Sequence, residues 1–137
     1  MERNGTEFNV NFHPASSGNI RNLIYDEWQD ENQIYVDSKS KNRIAYVHMK
    51  NMTGGELQKF KEDLVSSNEA DKDALILDLR YNTGGNVHDE VLRFLSQRTY
   101  LNWKYREGKL AKQSNFGYSD KPIVLLVNEQ SLSDAEM

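Results

Sequence analysis

Three short apolar runs constrain the fold most: "RIAYVHM" (43–49), "ALILDLR" (74–80) and "PIVLLVN" (122–128). Each is too short for a helix and rich enough in Ile, Val and Leu to read as a buried strand. Between them the apolar spacing turns helical. Leu57, Phe60, Leu64 and Val65 mark a helix over 54–67, and Val87, Val91, Phe94 and Leu95 mark one over 87–97. Ile20, Leu23, Ile24, Trp28, Ile34 and Tyr35 mark an amphipathic helix over 20–38 that "SKSKN" ends. Buried strands alternating with helices imply an α/β fold with a mostly parallel core sheet and flanking helices. Loops that follow parallel strands gather at one sheet edge, where such folds bind ligands. "YNTGGN" and "NEQSLSD" are therefore expected to meet there.

The remaining elements are less constrained. "EFNVNF" (7–12) alternates polar and apolar residues as a strand does, and His13-Pro14 ends it. "TYLNWKY" and "KLAKQS" flank "REG" as a hairpin would. Thr53 and Glu56 have capping-box spacing, as do Ser133 and Glu136 at the first turn of an expected terminal helix. Stopping inside that motif, the chain is expected to be part of a longer protein.

Composition removes several functions. A net charge of −4 gives no electrostatic case for nucleic acid. There is no cysteine, and His13, His48 and His88 share no metal-ligand spacing. The longest apolar run, Ile123–Val127, is too short to span a membrane. "MERNGTEFNV" has no apolar signal-peptide region, which leaves the compartment, cytoplasmic or periplasmic, open.

Two loops carry candidate chemistry. Gly84 and Gly85, between a strand and a helix, suit a tight turn with positive φ. The same backbone N–H groups suit an anion, either a phosphate or a transient oxyanion. No phosphate-binding glycine motif is present, which weakens the first of these. Ser133 reads first as an N-cap, and a helix start after a buried strand also suits a nucleophile, where neighbouring amides face a developing oxyanion. A glycine loop and a serine loop on one edge make a two-donor site beside a hydroxyl.

"LILDLRYNTGG" followed by "KPIVLLVNEQSLSDAE" resembles the catalytic core of the tail-specific, or C-terminal-processing, serine peptidases. Asp78, Arg80, Asn82, Gly84 and Gly85 match that family's strand motif; Asn128, Ser131, Ser133 and Glu136 match its serine motif. The Ser-Asp pair and "EWQDENQIYVDSKSKNRIAYVHMKNM" resemble its tricorn branch. The resemblance implies a ClpP/crotonase-like peptidase core over 16–137. Residues 1–15 would be an entry segment, the last strand of a preceding PDZ-like domain. It implies Ser133 as nucleophile and the backbone amides of Gly85 and Asp134 as oxyanion donors. Ser131 would be structural, Asp134 would lend its amide rather than its carboxylate, and Asp78 and Arg80 would form a bracing ion pair. The general base would lie outside this chain, with none of the three histidines filling that role. His48 reads as a core histidine and His88 as a surface residue on a first helical turn.

The expected reaction is peptide-bond hydrolysis through an acyl-enzyme, on peptides or unfolded chains, in a full-length protein that forms oligomers. No metal or organic cofactor is implied. Gly85→Ala is expected to lower turnover in an otherwise folded enzyme. A catalytically inactive peptide-binding module on the same scaffold is the alternative, and a phosphate or acyl-thioester binder would use the same donors.

Overall fold

Runs of four or five β-rich residues build the central sheet. β-strands and helices are numbered along the chain. In the computed structural model, residues 2–3, 6–7, 11, 13–66, 71–114, 118 and 120–137 are described. They fall into two units, 1–31 and 32–137. The first holds the short antiparallel pair β1 (Glu2–Arg3) and β2 (Thr6–Glu7). Most of the strand expected over 7–12 lies outside the described residues. Helix α1 (Ser17–Ser40) follows, two to three residues longer at each end than its apolar pattern indicated.

The second unit is built on a parallel sheet of β3 (Ile44–His48), β4 (Ala74–Asp78) and β7 (Ile123–Leu126), in the order β3-β4-β7. His48 pairs with Asp78, and Asp78 with Leu126, so the three C-terminal ends share one edge as expected. Helices α2 (Gly54–Val65) and α3 (His88–Leu95) supply the crossovers. Leu57, Phe60 and Leu64 of α2, and Val91 and Leu95 of α3, pack with Ala45, Val47, Leu75 and Leu77 of the sheet. This is period-2 strand burial meeting helical spacing. Phe60 and Phe94 meet edge to face at 5.8 Å and join the two helices. The hairpin appears as β5 (Leu101–Trp103) and β6 (Ala111–Gln113).

Some sequence expectations need correction. The run at 122–128 does form a strand, but its side chains are not buried: Val124 and Leu125 are 53% and 52% exposed. Among the described residues β7 pairs with β4 alone and stands at the sheet edge. An apolar cleft of about 400 Å³ lies between it and α3, lined by Leu77, Leu79, Val91, Leu95, Ile123 and Leu125 among others. The amphipathic α1 contributes no buried residue, and Ile20, Leu23, Ile24, Ile34 and Tyr35 are exposed. The core is made by α2 and α3 instead. The Thr53/Glu56 capping box is also absent. Thr53 Oγ1 donates to Asn51 Oδ1 (2.5 Å) instead, and Glu56 accepts the Lys50 amide (3.3 Å). No described helix is long and apolar enough to cross a membrane.

Candidate active site

The end of β4 is braced by charge. Asp78 is fully buried; both its oxygens accept Arg80 Nε (3.0 Å), and Oδ2 accepts the Tyr46 hydroxyl (2.8 Å). Burial pushes the Asp78 carboxyl up, but the Arg80 hydrogen bonds outweigh it and hold the group below the usual carboxylate range. Burial, then the Asp78 carboxylate, pushes the Tyr46 phenol well up. The expected ion pair is thus present, and the tyrosine is a third member the motif did not disclose. His48 is the core histidine expected: its Nε2–H donates to the Arg80 carbonyl at 2.8 Å.

Beyond this brace the chain turns sharply. Tyr81 adopts φ +64° and Gly84 φ +81°. Asn82 organises the turn from a fully buried position. Its Nδ2 donates to the Met49 carbonyl (2.7 Å), and its Oδ1 accepts the Gly84 amide (2.8 Å). The two glycines serve different purposes. Gly84 needs its positive φ, and a Cβ there would stand 2.9 Å from both Leu132 O and Ser133 Cβ. Gly85 has no positive φ; its constraint is the Met52 backbone, whose carbonyl oxygen would lie 1.9 Å from a Cβ. A bridge at that point joins Met52 N to Gly84 O and Asn86 N to Met52 O, each at 2.9 Å. The expectation that Gly85→Ala leaves the fold intact is corrected on this ground.

The serine loop is tied to the same edge. Ser131 is buried; its hydroxyl donates to Leu79 O (2.8 Å) and accepts the Asn128 amide (3.0 Å). Asn128 Oδ1 in turn accepts the Tyr81 amide at 3.1 Å. The Leu132 amide donates to Asn82 O at 2.9 Å, so the two loops are joined through backbone. Ser133 begins a 3₁₀ turn, Ser133–Glu136, with φ +51°. The N-cap position falls on Leu132, and Ser133 makes no capping bond. Its left-handed backbone carries the side chain away from the cap geometry that the S-x-x-E spacing anticipated.

The sequence-predicted residues Gly85, Ser133 and Asp134 therefore lie on two loops in contact, through Gly84. The Gly84 methylene faces Ser133 Cβ and, at 3.5 Å from an ideal Cβ, the Asp134 amide nitrogen. Among the described residues neither the Gly85 amide nor the Asp134 amide has an acceptor, and the Ser133 hydroxyl has no partner. The Asp134 carboxylate, by contrast, is engaged. Its Oδ2 accepts the Val87 (2.9 Å) and His88 (3.1 Å) amides at the start of α3, and His88 Nδ1–H donates to its Oδ1. His88, expected as a surface residue on a first helical turn, is a partly buried member of the site. The signal available was the unsatisfied N-terminus of α3, which calls for an acceptor; nothing in the spacing pointed 46 residues ahead to Asp134.

Among known proteins, the profile of "Peptidase family S41" matches residues 43–137. The "Tricorn protease homolog" of Saccharolobus solfataricus is 33% identical over 118 residues, covering 85% of this chain and 11% of that protein. The "Tricorn protease" of Thermoplasma volcanium is 28% identical over 117 residues, covering 85% and 11%. The solved "Crystal structure of the tricorn protease" superposes with a TM-score of 0.70 at 28% identity, over 85% of this chain and 11% of that one. The chain thus spans about a tenth of the length of these relatives. Profile, sequence and fold agree: the chain belongs to peptidase family S41, in its tricorn-like branch.

Proposed function

We propose that the full-length protein hydrolyses peptide bonds by acyl transfer, with Ser133 as nucleophile and the amides of Gly85 and Asp134 as oxyanion donors. The observation that carries this reading is the junction of the two loops. Ser133 sits at φ +51° against the bare Gly84 methylene, and the amides of the next residue along each loop, Gly85 and Asp134, have no acceptor among the described residues. A strained serine at a strand-to-helix turn leaves its hydroxyl open to substrate, as nucleophilic serines require. Free amides aimed at one region stabilise charge as it develops on a carbonyl oxygen. Family membership and the protease relatives support peptide-bond hydrolysis and a peptide substrate. A serine hydroxyl needs a general base. Among the described residues no general base is hydrogen-bonded to Ser133, and we assign that role to a segment outside this chain.

The test is a fluorophosphonate probe on the full-length protein, with the adduct mapped by peptide mass. The expected adduct is on Ser133, with peptide turnover lost in Ser133→Ala and retained in large part in Ser131→Ala. The chain of residues 1–137 alone is expected to show no turnover, since general-base assistance is typically worth about 10²–10⁴-fold. Undiminished hydrolysis by full-length Ser133→Ala would overturn the assignment. A wild-type protein that neither labels nor hydrolyses would indicate a non-catalytic peptide-binding module.

A further inference from the structure

Asp134 has two parts with separate partners. Its amide has no acceptor among the described residues, while its carboxylate is 94% buried and takes three hydrogen bonds from Val87 and His88 at the start of α3. Two of those donors are the Val87 and His88 amides, and Val87 lies two residues beyond Gly85. The side chain therefore grips the segment that carries one proposed donor, from the residue that carries the other. We infer that the Asp134 carboxylate and His88 form a positioning clasp that fixes the separation of the Gly85 and Asp134 amides.

The inference rests on the peptidase reading and goes beyond it, since that reading uses only the Asp134 backbone. The connections around the site support it. The Gly85 segment is held on one side by the Met52 bridge, and the serine loop by Leu132 N to Asn82 O. The Met52 bridge flanks Gly85 through Gly84 O and Asn86 N without reaching the serine loop, and the Leu132 bond joins the two loops before Asp134. Among the described residues the carboxylate clasp is what joins the start of α3, just beyond Gly85, to the residue after Ser133. A carboxylate suits this place because it accepts several N–H groups at once and complements the helix dipole. His88 takes the remaining oxygen, so the aspartate cannot rotate without losing a bond on each side.

An oxyanion hole depends on donor placement more than on donor number. Releasing the clasp should therefore lower kcat, with little change in KM. The experiment compares full-length wild type, Asp134→Ala, Asp134→Asn and His88→Ala. Each is assayed for kcat and KM, for affinity toward a peptidyl boronate, for melting temperature, and for its crystal structure. Asp134→Ala is expected to lose about 10²-fold in kcat and a similar factor in boronate affinity. KM should stay within about threefold, the signature of a contact made in the transition state. Asp134→Asn, which keeps one acceptor oxygen, and His88→Ala, which keeps both amide bonds, should each lose less.

Wild-type kcat and boronate affinity in a folded Asp134→Ala or His88→Ala would overturn the clasp, as would parallel loss of KM and melting temperature without a kcat effect. If Asp134→Ala does not fold, Asp134→Asn and His88→Ala decide. The peptidase reading fails separately, if the wild type neither labels with fluorophosphonate nor turns over. The crystal structures then judge the clasp alone: an unchanged distance between the Gly85 and Asp134 nitrogens in the variants rejects it, and a widened one upholds it.

Discussion

Gly85→Ala is the substitution whose outcome the structure determines most tightly. The added methyl would sit 1.9 Å from the Met52 carbonyl oxygen and 2.3 Å from its carbon, both backbone atoms. No rotamer relieves that overlap. The two bridged segments must part, and the Met52 N–Gly84 O and Asn86 N–Met52 O bonds are lost with them. Two backbone bonds are worth about 1–3 kcal/mol together. Forcing the backbone apart adds about 1–3 kcal/mol more. The expected loss is therefore about 2–6 kcal/mol, a large share of the about 5–15 kcal/mol that holds a domain folded. Equilibrium urea unfolding measures it: the midpoint should fall sharply, or the protein should not fold at all. Turnover of the full-length variant should be lost with stability rather than in a folded enzyme. A Gly85→Ala protein with the wild-type midpoint would refute the reasoning, because the Met52 contact could not then be as close as described.

Other glycines and polar groups give contrasting expectations. Gly54→Ala and Gly55→Ala, in the first turn of α2, meet nothing within 4 Å and should each stabilise by about 0.4–1 kcal/mol in the same urea assay. Ser131→Ala removes a buried hydroxyl with two partners and should cost about 1–3 kcal/mol, whereas Ser133→Ala, which caps nothing, should stay within about 0.5 kcal/mol. The reverse order would place the serine loop in the wrong register. Burial holds the His48 imidazole below its ordinary 6.5, so the unfolded chain takes up that proton first as pH falls. Stability from His48 is thus complete above 6.5 and declines below it, whereas Asp78, whose pKa is lowered, withdraws its contribution only as pH falls below 3.8. Urea midpoints of His48→Gln, measured against pH, should lose the slope just below 6.5; an unchanged slope would show that His48 is not responsible.

The sheet was legible because its signal is local. Apolar runs of strand length around Leu75 and Val124, separated by helical spacing at Leu57 and Val91, leave few other ways to bury the apolar residues. Burial of β7 was not legible, since a run such as Ile123–Leu126 reads the same at the centre of a sheet and at its edge. The apolar stripe of α1 was equally ambiguous, because periodicity gives a face and not what lies against it. At the site, the meeting of the two loops followed from parallel topology. The capping boxes misled, because spacing cannot reveal the left-handed φ of Ser133. Nor could it show that Asp134, rather than a residue near Val87, satisfies the first amides of α3.

The backbone at Ser133 has a consequence for any attempt to make this protein hardier. A serine at φ +51° bears a steric cost that glycine would not, of about 1–2 kcal/mol. Heat selection applied without an activity screen would therefore favour Ser133→Gly, and so discard the hydroxyl first. The same holds for sequence redesign guided by backbone compatibility alone, which would score this position as a glycine site. Thermal hardening and catalysis compete here for a single residue, and a library meant to preserve the chemistry has to keep position 133 out of the mutated set.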